Sequence, residues 1–192
     1  IASGLPQMTL VGLPDQAVRE SKERVRAAIK NSGFSLPSRK IIINLAPADI
    51  KKEGPDFDLP IAVGILASLG YIRLDSLEHY VFLGELALDG SLRRAKGVLS
   101  AALAAKEKTL SLVIPKSNAS EAALVEGAGV YAALDLAEVV ALLNDGKNLP
   151  RVVPGAGPLL PPNEPDYSFD FQEVKGQCQA KRALEIAVAG AH

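Results

Sequence analysis

Residues 59–70 read LPIAVGILASLG, an almost wholly apolar stretch that ends at a glycine. An apolar run of this length is typical of a helix buried against a sheet. Upstream, residues 40–45 read KIIINL, whose β-branched side chains predict a buried strand that ends at Ala46-Pro47. Downstream, strand-like and helix-like patterns alternate from residue 80 onward. The sequence therefore predicts an α+β fold, with a mixed sheet covered by helices.

Six segments have the composition of strands and are expected to build this sheet. They lie near residues 7–11, 40–46, 80–88, 92–94, 110–114 and 130–134. A helix is predicted after the first strand, because Asp15 can cap its start and Gly33 suits its end. Its buried stripe would contain Val18, Val25 and Ile29. The pair Asp89-Gly90 predicts a hairpin turn.

The composition changes after residue 146, which predicts three parts of the chain. Residues 1–146 form the domain, and residues 147–169, with six of the 13 prolines, read as a linker. Residues 170–192 resume with helical spacing from Phe171 to Ala189 and resemble the start of a second domain. The chain begins without an initiator Met or a signal peptide, so we expect it to be part of a longer protein.

The residue inventory excludes several kinds of chemistry. A single cysteine, Cys178, cannot form an intramolecular disulfide, which fits a cytoplasmic protein. One cysteine and two histidines cannot assemble a zinc site of the Cys/His type. No apolar run approaches the roughly 20 residues that span a bilayer, so we expect no membrane partner. No metal site is predicted.

Charge is balanced overall but unevenly placed. The net charge is −1, whereas residues 1–52 carry nine Lys and Arg against four Asp and Glu. A basic face is the footprint of nucleic-acid contact, but solvated helix faces give the same count.

Two carboxylates, Asp56 and Asp58, lie between a predicted strand and the apolar helix. Paired carboxylates can bind magnesium or act as general acid and base. Alternatively, one of them caps the helix that starts near Pro60, and this explains the spacing without further assumptions. No third ligand is adjacent in the sequence.

Motifs for nucleotide phosphates and for serine catalysis are absent from the sequence. It contains no Gly-x-x-x-x-Gly-Lys-Ser/Thr, no Gly-x-Gly-x-x-Gly between a strand and a helix, and no Gly-x-Ser-x-Gly. We therefore expect nucleotide binding by this chain to be absent or very weak.

Four motifs in the right order resemble the ComM/YifB family of magnesium-chelatase-like AAA+ ATPases. They are LVGLP at residues 10–14, INLAPAD at 43–49, KEGPDFDLPIA at 52–62 and LGELAL at 83–88. The segments FQEVKGQ at residues 171–177 and AKRALEIA at 180–187 resemble the entry helix of the family's ATPase module. This resemblance covers nearly the whole chain.

The resemblance implies a Lon-protease-like domain, of the class typified by the second domain of ribosomal small-subunit protein five. It also implies that Asp56 stands at the Lon serine position and Leu99 at the lysine position. A carboxylate and a leucine cannot form a Ser–Lys dyad, so no catalytic residue is expected. By analogy with AAA+ modules, Val174, Gly176 and Gln177 would lie against the adenine in the intact protein.

For the intact protein, the family implies an ATP-driven hexameric ring that acts on DNA in branch migration during natural transformation. ATP and Mg would be bound by the full-length protein and not by this chain. The domain would serve ring assembly and weak, sequence-independent DNA contact. The alternatives are a magnesium chelatase component or a divergent Lon-type peptidase.

Basic residues at strand ends and turns are the candidates for DNA contact, because their side chains stay solvated there. They are Arg39, Lys40, Lys51, Lys52, Arg93, Arg94 and Lys96. Weaker candidates lie on the first helix and could simply be its solvated face: Arg19, Lys22, Arg26 and Lys30. DNA affinity is expected to fall steeply with salt.

Overall fold

The computed structural model describes residues 7–145, 149–153 and 174–190. The chain divides into two compact units, Ile1–Gly157 and Pro158–His192. The predicted boundaries at residues 146 and 169 lie outside the described residues and stay predictions. Within the segment predicted as a linker, Arg151 forms a β-bridge with Tyr131, and the Val152 N–H donates to the Val130 carbonyl at 2.8 Å.

The described residues form short strands and mostly amphipathic or apolar helices. The strands are β1 (Gln7–Val11), β2 (Lys40–Asn44), β3 (Tyr80–Phe82), β4 (Glu85–Leu86), β5 (Leu92–Arg93), β6 (Ser111–Pro115) and β7 (Gly129–Ala133). The α-helices are α1 (Gln16–Asn31), α2 (Asp58–Ser68), α3 (Val98–Glu107), α4 (Ala119–Ala122), α5 (Leu136–Asp145) and α6 (Cys178–Ala189). Short 3₁₀ helices cover Pro55–Phe57, Leu74–His79 and Lys116–Asn118. The mixed α+β class is confirmed.

The described strands pair in three small sheets, so the expectation of one continuous sheet is wrong for this part of the chain. Strands β1 and β2 are parallel, with Gln7 opposite Lys40. Strands β3, β6 and β7 form a parallel sheet in the order β3-β6-β7. The antiparallel pair β4–β5 is the predicted hairpin around Asp89-Gly90.

The predicted single strand over residues 80–88 is interrupted at Gly84. The Gly84 N–H donates to the Asp56 carbonyl at 3.0 Å, and the Gly84 carbonyl accepts from the Leu59 N–H at 3.0 Å. Both backbone groups of Gly84 therefore bind the segment from Asp56 to Leu59 at the start of α2, and sheet pairing stops there. These two hydrogen bonds fix the segment that carries Asp56 and Asp58 against the start of β4.

Helix α1 forms as its sequence predicts. The Asp15 carboxylate accepts a hydrogen bond from the Val18 N–H at 2.8 Å, which satisfies one of the free amides of the first turn. Val18, Val25 and Ile29 are fully buried. Gly33 follows the helix with φ +87°, a left-handed conformation that glycine adopts without steric cost.

Alternation along β6 places two buried clusters on opposite faces of the β3-β6-β7 sheet. Val113 belongs to the cluster built around α1, α2 and α5, whereas Leu112 and Ile114 belong to the cluster under α3 and α4. Since successive strand residues point to opposite faces, this sheet is covered by helices on both sides, as expected. Residues Leu59 and Leu66 of α2 are fully buried, as the apolar stretch predicts.

The unit Pro158–His192 is described only over residues 174–190. Its helix α6 begins at Cys178, later than the start near Phe171 that the periodicity predicts; residues 171–173 lie outside the described part. Gly176 and Gln177 have φ of +73° and +54°, so neither continues a right-handed helix. No described helix is long and apolar enough to cross a bilayer.

Candidate functional site

The two carboxylates at the start of α2, Asp56 and Asp58, have different surroundings. Asp58 is fully buried, and its oxygens accept from Arg24 Nε at 2.7 Å and Arg24 Nη2 at 3.1 Å. The Leu86 N–H also donates to Asp58 Oδ2, at 3.2 Å. The hydrogen bond that Arg24 donates to Asp58 raises the pKa of the Arg24 guanidinium, against a smaller lowering by burial. Asp58 therefore joins α1, α2 and β4.

The prediction that Asp56 or Asp58 caps α2 is wrong. Neither side chain makes a capping hydrogen bond to that helix, whose N-cap position is Phe57. Asp58 is instead the partner of Arg24, which the sequence analysis counted only as one of the basic residues. Because the two residues are 34 positions apart, no local sequence signal links them.

Asp56 lies beside the segment that follows β5. Burial raises the pKa of the Asp56 carboxyl, while the backbone amide and the ammonium of Lys96 partly oppose this. A carboxylate near a backbone amide and a lysine ammonium is not a hydroxyl nucleophile with an adjacent base. Among the described residues, no group of three or more His, Cys, Asp or Glu side chains could hold a metal ion.

Leu99 lies in the first turn of α3, with its side chain 40% exposed. Its N–H donates to Glu121 Oε1 at 3.2 Å, and Glu121 Oε2 accepts from Asn118 Nδ2 at 3.1 Å. An apolar side chain has no proton to exchange, so this position supplies no base. The Glu121 carboxylate accepts a hydrogen bond from this free backbone amide at the start of α3.

Asn118 holds the segment that carries three of the basic candidates. It is fully buried, and its side-chain oxygen accepts from the Ala95 N–H at 2.9 Å, while its Nδ2 donates to the Ala95 carbonyl at 3.0 Å. This side chain pairs with the backbone as a neighbouring strand would. It thereby fixes Arg93, Arg94 and Lys96 at the surface, a role that the sequence analysis missed.

Each cation of this basic segment has a nearby carboxylate. Arg93 is exposed and pairs in register with Glu85 across the β4–β5 hairpin. Arg94 is 72% exposed and lies 3.8 Å from Glu121. Lys96 is exposed and interacts with Asp56. The three cations of this segment are therefore solvated, but acidic neighbours partly neutralise their charge.

The pair Lys51 and Lys52 does not behave as one cluster. Lys51 is exposed and forms a salt bridge with Glu53 at 2.6 Å. The expectation that Lys52 is solvated is wrong, because Lys52 is 6% exposed and its ammonium donates to the carbonyls of Pro47 and Ile50. Lys52 stabilises the loop after β2 and cannot reach a DNA phosphate without leaving it.

Arg39 and Lys40 lie at the start of β2. Arg39 is exposed, and Lys40 is half-buried opposite Gln7. The residues expected to lie against adenine are also at the surface of their unit, with Val174 44% exposed and Gly176 and Gln177 exposed. These three residues precede α6, and their contact with adenine stays a prediction.

Comparison with known proteins places the chain in a family. Residues 1–118 match the family described as subunit ChlI of Mg-chelatase. The whole chain is 43% identical over 196 residues to competence protein ComM of Haemophilus influenzae and 43% identical over 192 residues to the uncharacterized protein YifB of Salmonella typhimurium. This chain belongs to the magnesium-chelatase-like ComM/YifB family.

The family extends to mycobacteria, since the chain is 39% identical over 193 residues to an uncharacterized protein of Mycobacterium bovis. Each of these three relatives matches all of this chain, but the chain spans only 37% to 38% of their length. The family identity that the four motifs indicated is therefore confirmed.

Proposed function

We propose that this chain is the non-proteolytic, Lon-protease-like N-terminal domain of an AAA+ ATPase that moves DNA. The observation that carries this proposal is the 43% sequence identity to competence protein ComM over the whole chain. Competence is the uptake of DNA, and a ring-shaped ATPase of this family would act on that DNA by branch migration. In the hexameric ring, this domain serves subunit assembly and DNA contact.

The residues at the Lon dyad positions support a role without proteolysis. Asp56 is a carboxylate under the electrostatic influence of Lys96, and Leu99 is an exposed aliphatic residue. Peptide hydrolysis by a Ser–Lys pair needs a hydroxyl and a neighbouring amine, and neither position supplies its part. A divergent peptidase is therefore disfavoured.

ATP and Mg would be bound by a module that follows α6 in the longer protein. The sequence of this chain contains no Walker A motif, and Val174, Gly176 and Gln177 would supply only a surface against the adenine. We place the intact protein in the cytoplasm, where the DNA substrate and ATP meet, with no membrane partner.

DNA contact would use exposed cations at strand ends. Arg39, Lys40 and Lys51 from the first half of the chain and the Arg93, Arg94 and Lys96 segment are solvent-accessible, while Lys52 is excluded by its burial. Phosphate contacts of this kind carry no sequence information and weaken with salt. A ring would multiply such weak contacts by avidity.

The deciding experiment measures DNA-stimulated ATP hydrolysis by the full-length protein. We expect stimulation by DNA, and in the double variant Arg93→Glu, Arg94→Glu a reduced DNA affinity with a shallower salt dependence. The matched control is Lys106→Glu, Lys108→Glu, which changes the same charge at the other end of α3. Unchanged affinity and salt slope in the Arg variant would leave assembly as the domain's role.

A second function is suggested by the description of the matching family, subunit ChlI of Mg-chelatase. In that case the full-length protein would support magnesium insertion into a porphyrin together with partner subunits. ATP hydrolysis that responds to those partners and a porphyrin, and not to DNA, would favour this function over the DNA motor.

A further inference from the structure

We propose that a small cavity between α1 and the start of the β1–β2 sheet binds one phosphate group of a nucleic-acid backbone through Arg26 and Arg39. This inference rests on the proposed DNA role and names a site within it. The cavity has a volume of about 70 Å³ and is lined by both arginines together with Gln7 and Ser38.

Three separate parts of the chain bring these side chains together. Arg26 projects from α1, Gln7 begins β1, and Ser38-Arg39 lead into β2. The turn before β2 is fixed by a hydrogen bond from the Arg39 N–H to the Pro37 carbonyl at 2.8 Å. Since β1 pairs with β2 from Gln7 opposite Lys40 onward, the cavity lies at one end of this parallel ladder.

All polar side chains in the cavity wall can donate hydrogen bonds. The wall contains two guanidinium groups, one hydroxyl and one carboxamide, and no carboxylate. A guanidinium has only donors, arranged to match the oxygens of a phosphate. Two fixed positive charges at one cavity repel each other, and a bound anion relieves that repulsion.

Arg26 and Arg39 differ from the other arginines of the same unit. Arg24 is paired with Asp58, and Arg94 lies near Glu121. Within residues 7–145, neither Arg26 nor Arg39 takes part in a salt bridge. Their donors are therefore available to a ligand, whereas the Arg93, Arg94 and Lys96 segment shares its charge with carboxylates.

The cavity has room for one phosphate group. A cavity needs about 10 to 15 Å³ to hold one water, and this one has about 70 Å³. Its two guanidinium groups favour a charged phosphate over an uncharged base or sugar. The site would therefore position the backbone and carry no sequence preference.

The test uses side-chain NMR, which detects weak binding, on the ¹⁵N-labelled chain. The Nε–Hε signals of its nine arginines are recorded, and those of Arg26 and Arg39 are assigned with Arg26→Lys and Arg39→Lys. During titration with single-stranded hexathymidylate, we expect both signals to shift with one common Kd while Arg19 stays in place. No shift, or a shift no larger than that of Arg19, would overturn the proposal.

Two further arms separate the sources of failure. Inorganic phosphate should shift the same signals only at concentrations at least ten-fold higher, on the order of one unit of log Kd; equal potency would make the site one for free phosphate. If hexathymidylate shifts only Arg93 and Arg94, this cavity is wrong and the DNA role stands. If it shifts no arginine signal, both this site and the domain's DNA contact are wrong.

A variant pair confirms the assignment by affinity. Arg26→Gln, Arg39→Gln should weaken hexathymidylate binding several-fold and lower the slope of log K against log salt by about 0.7, the value for one single-strand phosphate. The control Arg19→Gln, Lys22→Gln removes the same charge from α1 but lies outside the cavity wall. Equal losses of affinity in the two variants would mean that net charge alone explains the effect, and this would overturn the proposed site.

Discussion

At the scale of single residues, Asp58 has the widest structural role, because one buried carboxylate holds a guanidinium on α1 and an amide on β4. Removing one partner of a buried ion pair leaves an uncompensated charge, which costs about 3 to 5 kcal/mol. Asp58→Ala should lower the free energy of unfolding by about 3 kcal/mol, near the lower limit because 21% of the Arg24 side chain is exposed.

Urea denaturation of the chain measures this difference. The matched control is Glu53→Ala, which breaks the exposed Lys51–Glu53 pair and should leave the free energy of unfolding nearly unchanged. A loss for Asp58→Ala as small as that of the control would contradict the role given to the buried pair.

Asp15 and Asp56 should give opposite dependences of stability on pH. Hydrogen bonds from Val18 and Gly54 lower the pKa of Asp15 below its ordinary 3.8, despite some burial. Its contribution to stability is therefore present above pH 3.8 and is lost as the pH falls through the lowered pKa. Burial raises the pKa of Asp56 above 3.8, so its contribution to stability is fully present below pH 3.8 and is lost as the pH rises through the raised pKa.

The paired variants Asp56→Asn and Asp15→Asn test these signs against wild type at pH 7 and at pH 3. Asp56→Asn should be more favourable to stability at pH 7 than at pH 3, because the uncharged amide removes the desolvation cost and can still accept from Lys96. Asp15→Asn should be less favourable at pH 7 than at pH 3. Urea unfolding at both pH values measures the change in unfolding free energy for each variant. If this change shifts in the same direction between pH 3 and pH 7 for both variants, the opposite roles of Asp15 and Asp56 are refuted.

At the scale of elements, the ends of β1 and β2 approach so closely that only glycine fits between them. Gly12 has φ +103°, and a Cβ there would overlap the backbone carbonyl of Leu45. Gly12→Ala should therefore lower the free energy of unfolding by about 3 kcal/mol or more. The control Gly33→Ala also has positive φ but meets no atom within 4 Å, so it should cost only about 1 to 2 kcal/mol.

Thermal unfolding of the two glycine variants provides the measurement. Equal losses of stability would mean that backbone conformation alone explains the effect. The close approach of Leu45 to Gly12 would then contribute nothing to the cost of Gly12→Ala.

Elements with local signals could be predicted from the sequence, and elements shaped by distant partners could not. The Asp15 cap and the β1 segment follow from neighbouring residues and were predicted with the correct bounds. The break at Gly84 depends on Asp56 and Leu59, more than 20 positions away. The same reason explains why Asp58 was assigned to a cap, since its partner Arg24 lies on a different helix.

The candidate site shows the same limit. Its exposed cations were found because strand ends and turns keep side chains solvated, and Arg39 is among them. The burial of Lys52 against the carbonyls of Pro47 and Ile50 required knowledge of the loop's path. Arg26 was assigned to a solvated helix face because its cavity partner, Arg39, joins it only through tertiary structure.

At the scale of the whole molecule, the strand registers give the parallel strand pairs different costs of loop closure. Ser111 pairs with Gly129 only 18 positions later, whereas Gln7 pairs with Lys40 after 33. The entropy of closing the shorter loop is smaller by about 0.5 kcal/mol. The β6–α4–β7 segment therefore pays less to close its native pairing than the β1–β2 pair does, although the ribosome makes β1 and β2 first.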